Sequence, residues 1–412
     1  MARLMAKVMV ATMVLAAGSA MGAEPSFVAA SIGTLPGGTG SICNGVNDTG
    51  DACGQADDVD GVVRAVVWSG GELAALPMLP DGTYAEANCI NNSMQIVGEA
   101  KNADGVSRPV MWTKDHDGNW MVQDLGTLHR DNIGFGIATR INENGDVVGY
   151  ATAVTSYHPF LLKDGVKSDL GTLHFAGNFA YGQALGLNDV GGVVGFAYAT
   201  FQGPEHGFRF ETEQVDITPK DAFGLAQGFN ITNGGVIAGY ISGATVTQSA
   251  FNAATFTDRD GWTLIPLLNG DTDSYAYDIN ASEDVVGAST LPSWPFALSR
   301  GFMWSGGAVY DLNMVTHNIE YNVAEAKDIS NTGMIAATLE GPAGPMGVVL
   351  MPGTACSADY NGDGFLDFTD FDDFVGDFEA GMPRADFNED GFLDFTDFDA
   401  FVSSFEAGCG LT

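Results

Sequence analysis

The chain has 412 residues, of which 45% are hydrophobic, 17% are charged and 55 are glycine. This composition excludes a disordered chain and favours an all-β protein with many tight turns. The formal net charge of −36 repels nucleic acid and anionic lipid, so neither is an expected partner, and it attracts divalent cations.

Residues 1–23 have the pattern of a secretory signal peptide. Arg3 and Lys7 supply the positive start, residues 8–17 form an apolar run too short to span a bilayer, and small residues around Ala23 suit a cleavage site. We therefore expect a secreted protein, extracellular or associated with the cell surface, with no membrane span.

Residues 24–352 repeat one unit seven times. The segment INENGDVVGYA begins at Ile141 and has cognates beginning at Val46, Ile90, Leu187, Ile231, Ile279 and Ile329. Six copies carry a glycine at the ninth position and the last copy carries Ala337, with successive positions 44 to 51 residues apart. This period is typical of β-propeller blades.

Two further signatures complete the unit. A short apolar segment that begins with His or Arg follows the first signature, as in HPFLL at His158 and RGFMW at Arg300, and several units end in a segment such as SDLGTL at Ser168. The alternation and the Val, Ile and Phe content predict four short strands per unit. One such unit cannot bury its own faces, so we predict a mainly β fold, a seven-bladed β-propeller.

The N-terminal segment is predicted to close the ring. The seventh unit ends at GVVLMPG, from Gly347, which corresponds to its third strand, and no fourth strand follows. SIGTL at Ser31 matches the Leu-Gly-Thr-Leu ending of the other units. We expect residues 27–35 to pair beside residues 348–351, which covers an edge that would otherwise invite aggregation.

Residues 28–352 resemble the HAF-type extracellular repeats. Such repeats combine the Ile-Asn turn motif, a His- or Arg-initiated strand and the Leu-Gly-Thr-Leu ending, and the resemblance implies a secreted repeat protein. The departures are Thr232 and Ser330 at the Asn position, Met94 at the turn glycine, and an insertion around residues 252–255.

No segment of the repeats carries a catalytic motif, so no catalytic residue is predicted. His158 and His206 share their repeat position with arginines, which favours a structural hydrogen-bonding role. His129 and His174 both follow a Gly-Thr-Leu in equivalent connections, and they are candidates for a ligand-binding face, although exposed loop histidines are the simpler interpretation.

The five cysteines allow disulfides in an exported protein. Cys356 and Cys409 flank the acidic C-terminal segment, and a bridge between them is expected. Cys43 and Cys53 lie almost opposite each other across the first predicted hairpin and form a second candidate pair, which leaves Cys89 over. Other pairings stay open, since connectivity does not follow from sequence.

Two twelve-residue acidic segments near the C-terminus predict a pair of calcium-binding loops. Each places oxygen ligands at positions one, three, five, nine and twelve, a backbone carbonyl at position seven and a glycine at position six, the spacing that wraps oxygens around Ca²⁺. An amphipathic helix is predicted after each loop. The expected ligands of the two Ca²⁺ ions are Asp359, Asn361, Asp363, Phe365, Asp367, Asp370, Asp386, Asn388, Asp390, Phe392, Asp394 and Asp397.

The C-terminal module, residues 353–412, resembles a type I dockerin. Asp rather than Glu stands at position twelve of each loop, and no good entering helix precedes Asp359. The resemblance implies a paired EF-hand-loop module that grips a cohesin-like partner. Phe368 and Phe395 depart from the small or polar residues expected at position ten.

The module carries fifteen acidic residues from residue 356 onward and only Arg384 as a base, so two Ca²⁺ ions would reduce its net charge from −14 to −10. We expect it to fold with calcium and to be largely disordered without it.

The sequence favours a secreted, non-catalytic calcium-binding protein. Its propeller would bind a glycan or protein ligand, and its tail would tether it to a cohesin-like or other surface protein. The alternative is a dockerin-bearing carbohydrate-active enzyme with its site on the propeller face.

Overall fold

The computed structural model describes residues 25–154, 156–173, 181–198, 204–219, 225–242, 251–291, 298–342, 344–353, 357–361, 366, 368–388 and 391–407. The predicted signal peptide lies outside these residues. Within the described ranges, no helix is long and apolar enough to cross a membrane.

The first strand, β1 (Phe27–Ser31), precedes the repeats. Blade 1 contains β2 (Ser41–Val46), β3 (Ala52–Asp57), β4 (Val63–Ser69) and β5 (Glu72–Ala75). Blade 2 contains β6 (Ala85–Ile90), β7 (Ile96–Lys101), β8 (Ser107–Lys114) and β9 (Trp120–Asp124). Blade 3 contains β10 (Gly136–Ile141), β11 (Val147–Thr152), β12 (Tyr157–Lys163) and β13 (Val166–Asp169). Blade 4 contains β14 (Gly182–Leu187), β15 (Val193–Tyr198), β16 (Glu205–Phe210) and β17 (Gln214–Asp216).

Blade 5 contains β18 (Leu225–Ile231), β19 (Ile237–Ser242), β20 (Asn252–Thr257) and β21 (Gly261–Leu264). Blade 6 contains β22 (Asp273–Ile279), β23 (Val285–Leu291), β24 (Leu298–Ser305) and β25 (Ala308–Asp311). A short helix α1 (Leu312–Val315) and strand β26 (Thr316–His317) follow, and blade 7 adds β27 (Asn322–Ile329), β28 (Ile335–Gly341) and β29 (Gly344–Pro352).

Within the described ranges, these strands form six four-stranded antiparallel sheets and one five-stranded sheet, whose edge strand β26 pairs in parallel, so the predicted seven-bladed propeller is confirmed. Two details differ from the sequence expectation. The fourth strand ends at the Asp of the Asp-Leu-Gly-Thr-Leu ending, as at Asp124 and Asp169, and the rest of the motif is a connection. Residues 252–255, expected as an insertion, belong to β20, the third strand of blade 5.

The N-terminal segment closes the ring, as predicted, but only Phe27–Ser31 of the expected residues 27–35 form the strand. β1 pairs antiparallel with β29, with Ala29 opposite Leu350 and Ser31 opposite Val348. Its other edge pairs in parallel with β26, so the order of the sheet is β26-β1-β29-β28-β27. The side chains of Phe27 to Ala30 are buried, so the closing strand is part of the core and not only an edge cover.

A β-bulge in every inner strand explains the repeated glycine. The register shifts between Ala138 and Arg140 in blade 3, and equivalent shifts occur in the other blades. The bulge brings the Ile137 carbonyl oxygen to 2.0 Å from where a Cβ on Gly149 would lie. Equivalent glycines in five other blades meet a carbonyl oxygen at 1.9 to 2.0 Å, so a side chain at any of these six positions would force the two inner strands apart. Blade 7 has Ala337 at this position, and its first strand has a second register shift, between Val323 and Glu325.

The Asn of the Ile-Asn motif joins each blade to the next. Asn142 Oδ1 accepts the backbone N–H groups of Asn144 (3.1 Å) and Asp146 (2.8 Å), which fixes the turn, and its Nδ2 donates to the carbonyl oxygen of Asn188 in blade 4 (3.1 Å). The same interblade bond recurs from Asn47, Asn91, Asn188 and Asn280. The motif Asn residues therefore link neighbouring blades by hydrogen bonds around the ring, except where Thr232 and Ser330 replace Asn.

The C-terminal segment contains two helices of equal length, α2 (Phe368–Ala380) and α3 (Phe395–Ala407), and a 3₁₀ turn at Pro383–Ala385. Phe374 and Phe401, one from each helix, are fully buried and stack with their ring centroids 4.0 Å apart. The amphipathic helices predicted after the two acidic segments are thus confirmed, and the phenylalanines form their common core.

Candidate functional site

The central channel of the propeller is crossed by one arginine, which forms what we call the channel clasp with two aspartates. Arg140 extends from the bulge of blade 3; its Nη1 donates to Asp328 Oδ1 (2.8 Å) and its Nη2 to Asp278 Oδ1 (2.5 Å). The second carboxylate oxygens accept backbone N–H groups, Asp278 from Ile329 and Asp328 from Val46, both at 2.8 Å. The clasp therefore links blades 3, 6, 7 and 1.

The clasp places one guanidinium group between two buried carboxylates, whose second oxygens are held by backbone N–H groups. Asp278 is 1% exposed and burial raises its pKa, although Arg140 acts in the opposite direction. Burial acts to lower the pKa of Arg140, but the two carboxylates outweigh it and the net shift is upward. The sequence did not reveal the clasp, because its members stand in a repeat position that otherwise holds Gly45, Cys89, Gly186 and Asn230.

At the turn end of the channel, polar residues of the Ile-Asn turns line a cavity of about 170 Å³. In six of the seven blades, the residue after the motif position accepts a backbone N–H from the preceding blade, as when Asp189 Oδ1 accepts from Glu143 N at 3.0 Å and Asp48 Oδ1 from Asn331 N at 2.7 Å; Ala281 is the exception. These side-chain oxygens hold neighbouring blades together, so this end is a structural rim.

The opposite end of the propeller is rich in aromatic side chains, and we call it the tyrosine face. Most of its rings are partly exposed, and they lie in two groups. The group on blades 3 and 4 contains Phe135, Tyr150, Tyr157, Tyr181, Phe196 and Tyr198, and the group on blades 5 and 6 contains Phe229, Tyr240, Phe251, Tyr275 and Tyr277.

Glu205 connects the two groups. Its Oε1 accepts from Tyr198 Oη (2.7 Å), and its Oε2 accepts from Tyr240 Oη (3.3 Å) and from the amide of Gln227. Burial, followed by the hydrogen bond and charge of Glu205, raises the pKa of Tyr198, so this hydroxyl stays protonated and donates. The carboxylate is thus held in a fixed orientation between tyrosines of neighbouring blades.

A pocket of about 300 Å³ lies where the channel opens on the tyrosine face. We call it the mouth pocket; it is lined by Asn44, Glu86, Asn88, Arg140, Leu185, Phe229, Tyr277 and Lys327. Arg140 lies at its inner end, since it also borders the cavity at the turn end. This pocket combines aromatic walls with groups of both charges, the composition expected of a small-ligand site.

Two glutamates stand next to each other beside the mouth pocket. Glu86 on β6 lies opposite Glu99 on β7, and Glu86 accepts from Tyr84 Oη (2.5 Å) and Asn44 Nδ2 (3.0 Å). Burial, and then the charge of Glu86, raises the pKa of Glu99. The sequence signal for this face was the residue after the repeated glycine, which is Glu99, Tyr150, Phe196 or Tyr240 in successive blades.

The structural interpretation of the His or Arg position is confirmed. His158 Nδ1 lies 2.9 Å from Asp169 Oδ2, and Arg108 Nε donates to Asp124 Oδ2 at 3.0 Å. The Asp of the fourth-strand ending is the partner in each case, also for His206 with Asp216 and Arg300 with Asp311. In these four blades the second and third repeat signatures are thus joined by a side-chain contact within the blade, whereas Arg64 of blade 1 pairs with Asp58.

His129 accepts the Asp131 backbone N–H at Nδ1 (3.2 Å) and belongs to a turn, while His174 lies outside the described residues. Their common ligand face stays a prediction. A group that the sequence did not suggest, Asp115, His116 and Asp117, has potential metal-ligating atoms within 4.8 Å of one another on the hairpin between β8 and β9. It is largely exposed, and Asp115 already accepts backbone N–H groups of the turn.

The three propeller cysteines are buried free thiols, so the predicted Cys43–Cys53 disulfide is wrong. The bulge pairs Cys43 with Gly54 and Cys53 with Gly45, so the two side chains lie on opposite faces of blade 1. Cys43 packs in the core shared with blade 7, and Cys53 packs in the core shared with blade 2. The Cys356–Cys409 pair lies outside the described residues and stays a prediction.

The two predicted calcium loops are described in part, and their described halves have matching contacts. Asn361 N donates to Asp370 Oδ1 and Asn388 N to Asp397 Oδ1, both at 3.1 Å. The amide of each Asn donates to the Thr at position eleven at 3.0 Å. The predicted ligands Asp363, Phe365, Asp367 and Asp390 lie outside the described residues.

In the second loop, the backbone folds around the acidic side chains. Asp386 Oδ2 accepts from Gly391 N (2.9 Å), and Asp397 Oδ2 accepts from Asp394 N (2.8 Å). Gly391 has a φ of 85°, the left-handed conformation expected of the glycine at position six. Backbone N–H groups hold the pKa of Asp397 below its usual range, and this carboxylate is inaccessible to solvent.

Comparison with known proteins identifies no family. No family model matches the chain, and no curated protein matches its sequence. Among solved structures, the chain is similar to YCF48 bound to D1 peptide (13% identity, 79% of this chain and 97% of that chain, TM-score 0.43) and to a puromycin hydrolase (11% identity, 73% and 58%, TM-score 0.42). It is also similar to the propeller domain of the Trilobed protease from Pyrococcus furiosus (10% identity, 63% and 79%, TM-score 0.36). None of these similarities carries an argument about function.

Proposed function

We propose that this chain is a secreted, non-catalytic calcium-binding protein. Its propeller is a binding platform, and its C-terminal module tethers or assembles it at a cell surface or matrix in a calcium-dependent way. The observation that carries the proposal is the matched pair of loop and helix units. Asp370 and Asp397 are buried at the same position of their units, and each accepts the backbone N–H of the equivalent Asn, Asn361 or Asn388.

The donor chemistry supports Ca²⁺. Asp359, Asn361 and Asp370 of the first loop, and Asp386, Asn388, Asp394, Asp397 and the carbonyl of Phe392 in the second, offer oxygen only, which hard divalent cations prefer. The acidic side chains of this segment of net charge −14 repel one another unless a cation compensates them. The bound ion would supply that compensation and so couple folding to calcium.

Two exposed phenylalanines support a docking role for the module. Phe368 is 71% exposed and Phe395 is 68% exposed, and each stacks on an aromatic ring of its own helix, Phe371 at 5.8 Å and Phe398 at 5.6 Å. Large apolar side chains held rigidly in solvent are typical anchors of protein interfaces. Because the two phenylalanines occupy equivalent positions, a partner such as a cohesin-like protein could make the same contact with either one.

A non-catalytic platform is supported by the clasp, in which both buried acids of the channel already bind Arg140 and backbone N–H groups. The second candidate, a carbohydrate-active enzyme, is favoured by one observation, the adjacent Glu86 and Glu99 with the raised pKa of Glu99. Release of reducing sugar from polysaccharides, abolished by Glu99→Gln, would establish the enzyme.

Calcium titration of the full chain tests the proposal. All six tryptophans precede residue 353 in the sequence and the C-terminal module has none, so their fluorescence reports on the propeller, while circular dichroism at the helix band reports on the C-terminal helices. We expect helix signal to increase at roughly 10⁻⁴–10⁻³ M calcium, the range of extracellular sites, while tryptophan fluorescence stays constant. The variant Asp370→Asn/Asp397→Asn should abolish the increase.

The matched control is Asp372→Asn/Asp399→Asn. These two exposed acids lie on α2 and α3, and their replacement removes the same charge without touching the loops. It should respond to calcium like the wild type. An unchanged spectrum of the wild type at millimolar calcium, or equal loss of response in both double variants, would refute the proposal.

A further inference from the structure

The mouth pocket on the tyrosine face has the chemistry of a sugar site. We infer that it binds the end of a neutral oligosaccharide. This inference deepens the proposed function, since it names the ligand class of the platform, and it rests on the propeller being that platform.

Aromatic walls give the pocket its apolar character. Phe229 and Tyr277 stand nearly perpendicular, with ring centroids 5.5 Å apart, and both are partly exposed. A sugar ring presents C–H groups on one face, which pack against the negative face of an aromatic ring. Two rings at right angles can contact both a face and an edge of one sugar.

The polar groups of the pocket include both donors and acceptors. Glu86 is an acceptor whose carboxylate is oriented by Tyr84 and Asn44. The ammonium group of Lys327 is a donor; it lies 4.8 Å from the centre of the Tyr277 ring and 2.9 Å from Glu325. A hydroxyl donates one hydrogen bond and accepts others, so a polyol uses both kinds of group.

The charges of the pocket argue against ionic ligands. An anionic sugar would approach Glu86, Glu325 and a protein of net charge −36, which repel it. An amine or a basic peptide would meet Lys327 beside the aromatic wall and Arg140 at the inner end, whose donors it cannot use. A neutral ligand with many hydroxyls has neither disadvantage.

The aromatic surface continues beyond the pocket. Tyr275 lies nearly parallel to Tyr277 (9° between planes, 6.2 Å between centroids) and contacts Tyr240 and Phe251 on blade 5. Further sugar units leaving the pocket would therefore find aromatic surface in one direction, toward Glu205. This favours an oligosaccharide over a single sugar.

Calorimetric titration of the full chain tests the inference. The probes are neutral oligosaccharides built from glucose, xylose, mannose, galactose or N-acetylglucosamine, with oligogalacturonate, chitosan oligomers and oligolysine as charged comparisons. We expect at least one neutral probe to bind at millimolar concentration or below. Tyr277→Leu and Phe229→Leu should each weaken it by about tenfold, the effect of losing one stacking contact.

The control variant is Met121→Ala, an exposed apolar side chain on β9, which should bind like the wild type. Tryptophan fluorescence checks that each variant is folded. Binding of only charged probes, absence of binding by every neutral probe, or neutral binding that survives both aromatic substitutions would overturn the inference. The titrations are repeated with chelator, because sugar binding by the propeller should persist when the tail has lost calcium. Failure of sugar binding and failure of the calcium response are therefore distinguishable.

Discussion

Replacement of Arg140 by methionine should destabilise the propeller more than any exposed ion pair can explain. The variant leaves Asp278 and Asp328, 1% and 6% exposed, without their cation. Removing one partner of a buried ion pair typically costs about 3–5 kcal/mol, because the remaining charge is uncompensated. At roughly 2–4 °C per kcal/mol, the melting temperature should fall by about 6–20 °C.

The size of this loss should depend on pH. Burial raises the pKa of Asp278 above its unfolded value, and loss of Arg140 removes the charge that opposes this shift. A carboxyl group with a raised folded pKa binds its proton more tightly in the folded state, so it stabilises below the unfolded pKa and this contribution is lost as pH rises through the folded pKa. The deficit of the variant should therefore be smallest near pH ~4 and largest above neutrality.

Urea unfolding followed by tryptophan fluorescence measures the effect in the propeller alone. Arg209→Met is the matched control: this arginine is 17% exposed, against 16% for Arg140, but its partner Asp258 is 69% exposed. It should lose no more than about 1 kcal/mol. The triple variant Arg140→Met/Asp278→Asn/Asp328→Asn should recover much of the stability. Equal losses for the two arginines, or a deficit that does not change with pH, would refute the role of the clasp.

Two further predictions concern the blades. Asn142→Ala should lower the unfolding free energy by about 2–4 kcal/mol, because it removes two turn hydrogen bonds and the bond to blade 4. Asn142→Ser keeps a neutral acceptor for the turn, as Ser330 does at the same position when its Oγ accepts from Met334 N, and should lose less; similar losses for both variants would contradict the role of the motif Asn in the turn. Titration with a thiol reagent should find almost no reactive cysteine in the native propeller, since Cys43, Cys53 and Cys89 are buried. In denaturant without reductant, three thiols per chain are expected if Cys356 and Cys409 are bridged, whereas five would disprove that bridge.

The repeated features of the fold were predictable from the sequence. Most blades have the same structural requirements, so the residues that meet them recur at the same repeat positions. These residues are the glycine beside the bulge, the motif Asn, and the His or Arg that contacts an Asp. The closing strand was also predictable, because a missing fourth strand in the last unit had a counterpart near Ser31. A repeat pattern thus reveals contacts within and between neighbouring blades.

The candidate site could not be predicted in the same way. Arg140, Asp278 and Asp328 break the pattern of their repeat position, and only the ring geometry brings blades 3, 6 and 7 together. The tyrosine face leaves only a weak signal, the residue after the repeated glycine, which changes among Glu, Tyr and Phe from blade 2 to blade 5. The Cys43–Cys53 pair was predicted wrongly because a bulge, which moves one side chain to the other face, leaves no sign in the spacing of two cysteines.

The pairing of β1 with β29 has a consequence for biosynthesis. The earliest strand of the propeller to be synthesised needs one of the latest, and until residue 352 has emerged its four apolar residues lack β29, the strand that pairs with β1 along its whole length. A truncated chain would expose this segment, which would then be open to proteolysis and would promote aggregation. An incomplete chain would thus differ from a finished one in having this strand exposed and unpaired with β29.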